Sequence, residues 1–197
     1  MCVKKEFIFF YTNYLEAYIT IFFTRKDKFP IPEPNITLNR IKFFKKKKAL
    51  LQYGKDHNIR YKKIEAFKKN HPVQILYNLL HSYFSGERIN LSSKMDESNL
   101  DLAINEQYST PFQKRVIYYL KNNIGYGTLI SYSDIGEEIN SKAYQAIGSV
   151  IKRNPYPLII PCHRVVRKNG EIGGFIGKTG EGWQVEIKKR LISLEKN

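Results

Sequence analysis

Residues 154–166 read N-P-Y-P-L-I-I-P-C-H-R-V-V. Pro155, Pro157 and Pro161 each set their own φ and bias the preceding residue towards extended backbone, so the approach to Cys162 is stiff. Leu158, Ile159 and Ile160 form a short apolar run, which predicts a thiol carried on a buried, rigid segment. A lone buried cysteine is ordinarily a small apolar filler. Here His163, Arg164 and Arg167 follow at once, and they are the groups that activate a thiolate: a base and positive charge. Neighbours in extended chain point to opposite faces, so His163 needs a local turn or a bridging water to serve Cys162.

A third group that orients the imidazole is expected from the C-terminus. From Trp183 to Glu195 the pattern is helical, with Ile187, Leu191 and Leu194 on one stripe and Glu195 on the same stripe. A carboxylate on an apolar face must find a partner. That partner is either a lysine or His163, and the second completes a Cys–His–Glu relay.

Outward from this stretch, Thr110-Pro-Phe-Gln113 reads as a capping box with proline at the first helical position, opening a helix to about Asn122. Tyr126–Ile130 reads as a short extended turn, Ser131-x-x-Asp134 opens a second helix, and a third runs from about Lys142 to Arg153. Two short helices so close together read as a helix-turn-helix. In the third, Ala143, Ile147, Val150 and Ile151 form the inner stripe, and Lys142, Gln145, Ser149 and Lys152 the outer one. The small residues Ala146 and Gly148 let the backbone approach a groove, although a polar outer stripe is also what wet surface looks like.

The first half is less explicit. Phe7–Tyr11 and Ala17–Phe23 predict a hairpin, and prolines at alternate positions make Phe29–Pro34 an extended connection. Residues 41–69 mix apolar residues with many lysines, including Lys45–Lys48, and read as partly helical; that run is either a solvated face or a phosphate contact. Pro72–Phe84 reads as a helix stopped by Gly86, and the polar, acidic stretch after Asn90 as a linker. The expected organisation is an α/β N-terminal domain (1–95: a small antiparallel sheet plus helices), a linker (96–109), and a mainly α, winged-helix-like C-terminal domain (110–197).

The 197 residues carry 33 Lys and Arg against 18 Asp and Glu, a net charge of +15, which favours a polyanionic partner. Residues 1–70 hold 17 of the basic and 6 of the acidic side chains, and residues 111–197 hold 14 and 7. Two cysteines exclude a disulfide framework, and no zinc spacing occurs among two cysteines and four histidines, so neither metal nor cofactor is expected. The apolar stretch Phe7–Phe23 is interrupted by Thr12, Asn13, Glu16 and Thr20, so no membrane segment is expected and the protein reads as intracellular.

P-C-H-R-V preceded by N-P-x-P and followed by G-x-I-G-G resembles the O6-alkylguanine-DNA alkyltransferases, strongly over about 110–195 and weakly over 76–90. The resemblance implies a monomer that flips O6-alkylguanine out of double-stranded DNA and moves the alkyl group irreversibly to Cys162. It implies His163 as a water-relayed base, Glu195 as the residue that orients it, Asn154 as a hinge, and Tyr132 as a donor to the departing guanine. Val165, Gly173, Gly174, Phe175 and Ile176 would shape the base pocket. Lys114, Lys142, Gln145, Ala146, Gly148, Ser149 and Lys152 would face DNA. Gln145 stands where the family usually has an arginine, with Lys142 a substitute one turn earlier, and Phe175 and Ile176 stand where Tyr and Ser are common. The alternatives are a non-catalytic lesion-binding relative and a cysteine hydrolase.

Overall fold

The structure is a computed structural model describing residues 2–27, 35–96 and 100–196. The proline-bearing connection at 29–34 lies outside these residues. The N-terminal half is built on a four-stranded sheet of order β3-β2-β1-β4. Its strands are β1 (Cys2–Thr12), β2 (Ala17–Asp27), β3 (Asn35–Phe44) and β4 (Arg60–Tyr61). β1, β2 and β3 pair antiparallel, while β4 pairs parallel to β1, so the sheet is mixed rather than purely antiparallel. The expected hairpin is β1–β2, longer at its outer end than the apolar runs alone indicate.

β3 is a correction to the lysine-rich, partly helical reading of residues 41–69. Its inward residues are Ile36 and Leu38, then Ile41 and Phe43, all buried. The alternation changes parity because the register with β2 skips Asn39, which forms a bulge opposite Phe22 and Phe23. Helix begins only at α1 (Lys47–Asp56).

Helix α2 (Pro72–Phe84) has the expected bounds and buries Val73, Leu76, Leu80 and Tyr83. The stretch expected to join the two domains contains α3 (Leu91–Asp96) and α4 (Ile104–Gln107). It is packed rather than loose. Leu100, Leu102, Ile104 and Tyr108 are buried, and Leu38 N–H donates to the Asp101 carbonyl at 2.7 Å.

The C-terminal half opens with α5 (Pro111–Asn123), where Thr110 and Gln113 close a reciprocal capping box. Then follow β5 (Ile130–Ser131), α6 (Tyr132–Glu138), α7 (Tyr144–Lys152), β6 (Val165–Val166) and α8 (Trp183–Lys196). Ser131 and Asp134 form a second capping box that starts α6 as expected. α7 starts two residues later than the sequence pattern implies: Ala143 is its N-cap and is exposed, so the inner stripe is Ile147, Val150 and Ile151. Lys142 precedes the helix and is not one turn before Gln145 on its face.

One apolar cluster runs through both halves, from Ile8 and Ile21 of the sheet through Leu76 and Ile117 to Ile160 and Leu191. Each such buried aliphatic side chain contributes about 1.5–3 kcal/mol. The halves also meet through backbone, with Ile41 N–H of β3 donating to the Pro155 carbonyl at 2.8 Å. No helix among the described residues is long and apolar enough to cross a membrane.

Candidate active site

The approach to Cys162 is a compact turn, not the extended segment the prolines suggest. Ile160 N–H donates to the Tyr156 carbonyl at 2.9 Å, and Cys162 N–H to the Ile160 carbonyl at 2.7 Å. Pro161, at φ −79° and ψ 60°, is the centre of that inverse γ-turn, a geometry its ring favours. Leu158 sits buried at φ +79°. Asn154 locks the turn from within: its Nδ2 donates to the Ile160 carbonyl at 2.8 Å and its Oδ1 accepts from Tyr156 N–H at 2.9 Å. Cys162–Arg164 then forms one turn of 3₁₀ helix, the local turn that His163 required.

Cys162 is 6% exposed, and what exposure it has opens on a cavity of about 300 Å³. The lining includes Tyr132, Gln145, Gly148, Ser149 and Lys152 from the helix-turn-helix side, and Gly174, Phe175 and Ile176 opposite. β5 pairs parallel with β6, Ile130 opposite Val165, which brings the start of α6 and therefore Tyr132 beside the cysteine turn. Phe175 is held against Phe43 of β3 at 6.2 Å between ring centroids, so the N-terminal sheet backs the pocket loop. Ile176 and Gly177, both at positive φ, turn the chain between Phe175 and Lys178, which exchange two backbone hydrogen bonds. A β-branched residue at φ +46° is strained.

Glu195 is reached by four residues from three segments. Its Oε1 accepts from Tyr83 Oη at 2.7 Å, from His163 Nε2 at 3.0 Å and from Arg164 Nη2 at 2.7 Å. Its Oε2 accepts from Arg164 Nε at 2.8 Å and from Gly127 N–H at 3.2 Å. Gly127 must be glycine: its φ is +74°, and a Cβ there would lie 2.9 Å from the Glu195 carbonyl oxygen. Arg164 is 1% exposed and also donates to the Ile124 carbonyl at 2.7 Å. Both readings of Glu195 therefore hold in part: it pairs with a cation, Arg164 rather than a lysine, and it also holds His163.

Protonation states follow. Burial raises the Glu195 carboxyl, but hydrogen bonds from His163 and Arg164 outweigh it and hold the group well below the usual carboxylate range. A carboxylate only accepts, so His163 Nε2 carries the proton and Nδ1 has a free lone pair. Burial depresses the imidazole below its ordinary value despite Glu195, which keeps it neutral and able to take a proton. Its Nδ1 is buried with no protein hydrogen-bond partner. Burial pushes the Cys162 thiol up, while the Asn154 side chain, the Lys188 ammonium and the N–H groups of Cys162 and His163 pull it down. Burial also raises Tyr132, with Cys162 adding to it, so its hydroxyl stays protonated.

Lys188 and Tyr83 carry no role in the sequence reading, and Arg164, read there as positive charge for the thiolate, is committed to Glu195. Lys188 is fully buried; its Nζ donates to the Val165 carbonyl at 2.5 Å and the Gly174 carbonyl at 3.2 Å. Burial lowers it to about 8 while the Cys162 charge pulls it up. Its spacing of seven from Glu195 places it on the same helical stripe, a signal present in the sequence. Tyr83 lies on the apolar stripe of α2 with a hydroxyl that burial obliges to find a partner.

The other sequence-derived candidates distribute unevenly. Val165 is buried and outside the cavity lining, with its N–H donated to Cys162 and its carbonyl accepting from Lys188. Gly173 lines a neighbouring hollow with Arg167 and Glu171. Gln145, Ser149 and Lys152 form an exposed row on α7 at the cavity rim. Ala146 is exposed, while Lys114 on α5 is half-buried; these two and Lys142 lie outside the lining.

Comparison with known proteins fits this geometry. Residues 111–197 match the family model described as the DNA-binding domain of 6-O-methylguanine DNA methyltransferase. A methylated-DNA–protein-cysteine methyltransferase of Thermococcus kodakarensis is 35% identical over 105 residues, 53% of this chain and 56% of that relative. One from Archaeoglobus fulgidus is 39% identical over 116 residues, 59% of this chain and 70% of that relative. Over little more than half of the first relative's length, then, is the likeness carried by sequence. The crystal structure of Mycobacterium tuberculosis OGT in complex with DNA superposes with a TM-score of 0.63 at 23% identity, covering 97% of this chain and 92% of that one. That likeness extends the shared fold into the N-terminal half, where sequence similarity fades. A prolyl turn presenting a thiol to a cavity, backed by an imidazole and a buried carboxylate, sits within the matched segment, and the chain belongs to the methylated-DNA–protein-cysteine methyltransferase family.

Proposed function

We propose that this protein is an intracellular DNA-repair alkyltransferase that acts as a monomer and takes an alkyl group from O6 of guanine in double-stranded DNA onto Cys162, once per molecule. The observation that carries this reading is the thiol opening on a cavity whose rim is the polar face of α7. Residues 110–197 are the DNA-binding and transfer unit and 1–95 its support, joined through 96–109. A guanine inside the stack lies out of reach of a buried sulfur, so the base must be flipped into the cavity.

The thiol proton passes through a bridging water to His163 Nδ1, which stays free to accept because Glu195 holds the Nε2 proton. The thiolate attacks the alkyl carbon in line with the C–O6 bond. The S–C bond forms, the C–O6 bond breaks, and the electron pair leaves with guanine. Tyr132 Oη–H donates to the departing base, and the proton held by His163 restores the balance. The product is a thioether, which no group in the site can cleave, so the protein is consumed. Phe175 supplies an apolar wall without a hydroxyl, and Ile176 at the rim offers the base only backbone.

The test is to mix the protein with duplex carrying O6-methylguanine and weigh it. The expected result is a gain of one methyl on the Cys162 peptide without turnover, absent in Cys162→Ala, whose duplex affinity is retained. Tight binding with unchanged mass would identify a lesion-binding protein, and hydrolysis of a model ester a hydrolase.

A further inference from the structure

The N-terminal sheet has a second face, turned away from the pocket, that the transfer reaction does not use. Its inner residues Ile41 and Phe43 belong to the main apolar cluster, and Phe43 meets Phe175 of the pocket loop. On β1 and β2 the residues that alternate with the inward Ile8, Phe10, Ile19 and Ile21 include the rings of Phe7, Phe9, Tyr11, Tyr18 and Phe22. Helix α1 covers part of this outer face: Leu50 packs on Phe7 and Phe22, and the close approach of Gly54 to the Phe7 ring leaves no room for a Cβ there. Beside α1 runs a row of four rings, half-buried in its middle and exposed at its ends. Tyr61 lies 5.0 Å from Phe9, Phe9 lies 6.0 Å from Tyr18, and Tyr18 lies 5.0 Å from Tyr11. Tyr11 is 46% exposed and Tyr61 41%, at the two ends of the row.

Positive charge borders these rings. Lys45, Lys46, Lys47 and Lys48 are all exposed at the start of α1, and the Lys47 ammonium lies 5.5 Å from the Phe9 ring centre. Among the described residues no carboxylate pairs with Lys46, Lys47 or Lys48; Lys45 pairs weakly with Glu16 at 3.8 Å. A solvated lysine face needs no aromatic row beside it, and an apolar protein contact would not be bordered by a run of four like charges. Rings that offer stacking surface beside lysines that offer phosphate contacts are what a single strand of nucleic acid requires, because every base has a π-face.

We propose that the Tyr61–Phe9–Tyr18–Tyr11 row and the Lys45–Lys48 run form a second DNA site that binds unpaired single-stranded DNA without sequence preference. It goes beyond the transfer reaction and lies on the opposite side of the sheet from Cys162, so both sites can be occupied together. A protein that opens duplexes to reach a base works beside unpaired DNA, which makes DNA the occupant.

Fluorescence polarisation of the full chain with a labelled oligothymidylate tests this, using Tyr11→Ser/Tyr61→Ser and Lys46→Glu/Lys48→Glu. Each pair of exposed substitutions is expected to weaken single-strand binding by about tenfold, with alkyl transfer to a short methylated duplex unchanged. Crosslinking with a bromodeoxyuridine oligonucleotide is expected to label peptides of β1 and β4. Unaltered single-strand affinity in both variants, or crosslinks confined to α7, would overturn the proposal. So would a chain that sediments as a dimer which the variants dissociate, since the face would then be a self-contact. Tenfold tighter binding of oligouridylate would overturn the assignment to DNA.

Discussion

Two buried charges set the behaviour of the thiol. Lys188 is a cation whose charge lowers the Cys162 thiol, its ammonium bonds carbonyls rather than a carboxylate, and at about 8 it is still protonated near neutrality. Lys188→Met keeps the length of the side chain and removes the charge. Alkyl transfer at pH 7 should fall about tenfold and recover as the pH is raised, and the pH profile of iodoacetamide labelling of Cys162 should move upward. A purely structural lysine would lower both without moving the profile. Glu195 tests the other half. Glu195→Gln leaves Arg164 buried without its counter-ion, which costs about 3–5 kcal/mol in urea unfolding, and it removes the acceptor that fixes the His163 tautomer. Transfer by the folded fraction should drop as well.

At the scale of elements, α7 carries the exposed polar row at the cavity mouth and α8 carries Lys188 and Glu195. Gln145, Ser149 and Lys152 lie on the exposed face of α7 and at the mouth of the cavity. A neutral amide at Gln145 can hydrogen-bond a base edge but contributes nothing to phosphate attraction. Gln145→Arg should therefore tighten duplex binding by about fivefold or speed transfer, with a steeper salt dependence in a polarisation titration. No change in either would place that side chain away from the stack. α8 was readable from its stripe of Ile187, Leu191, Leu194 and Glu195, whereas β3 was not. The bulge at Asn39 breaks the period of two that identifies a strand, and the lysines around Phe43 and Phe44 dilute the apolar signal.

For the molecule as a whole, one apolar cluster spans both halves, and Tyr83 of α2 bonds Glu195 of α8 across 112 residues of sequence. Unfolding should be a single transition, and its pH dependence follows from the buried groups. Folded His163 resists protonation, so below its ordinary value of 6.5 the unfolded chain binds the extra proton and stability falls. Glu195 is held below its ordinary 4.5, so stability falls again as the pH drops through that value. Lys188 acts oppositely: between about 8 and 10.5 the unfolded chain holds the proton that the folded chain has lost, so its contribution rises with pH. Urea midpoints measured from pH 2.5 to 10 should show both acid losses, and Lys188→Met should lack the alkaline gain.

The sequence by itself determined what is local. The capping boxes at Thr110 and Ser131, the stripe of α8, the proline-framed thiol and the imidazole beside it are specified by residues within a few positions of one another. Tertiary structure alone decided the rest: that Arg164 and Tyr83 share Glu195, that Lys188 turns towards the thiol's turn, that β3 backs the pocket loop, and that four aromatic rings align on the outer face. Caps and periodicity are short-range consequences of backbone hydrogen bonding. The partner of a buried charge is chosen by which distant segments burial forces together, and no spacing along the chain records that choice.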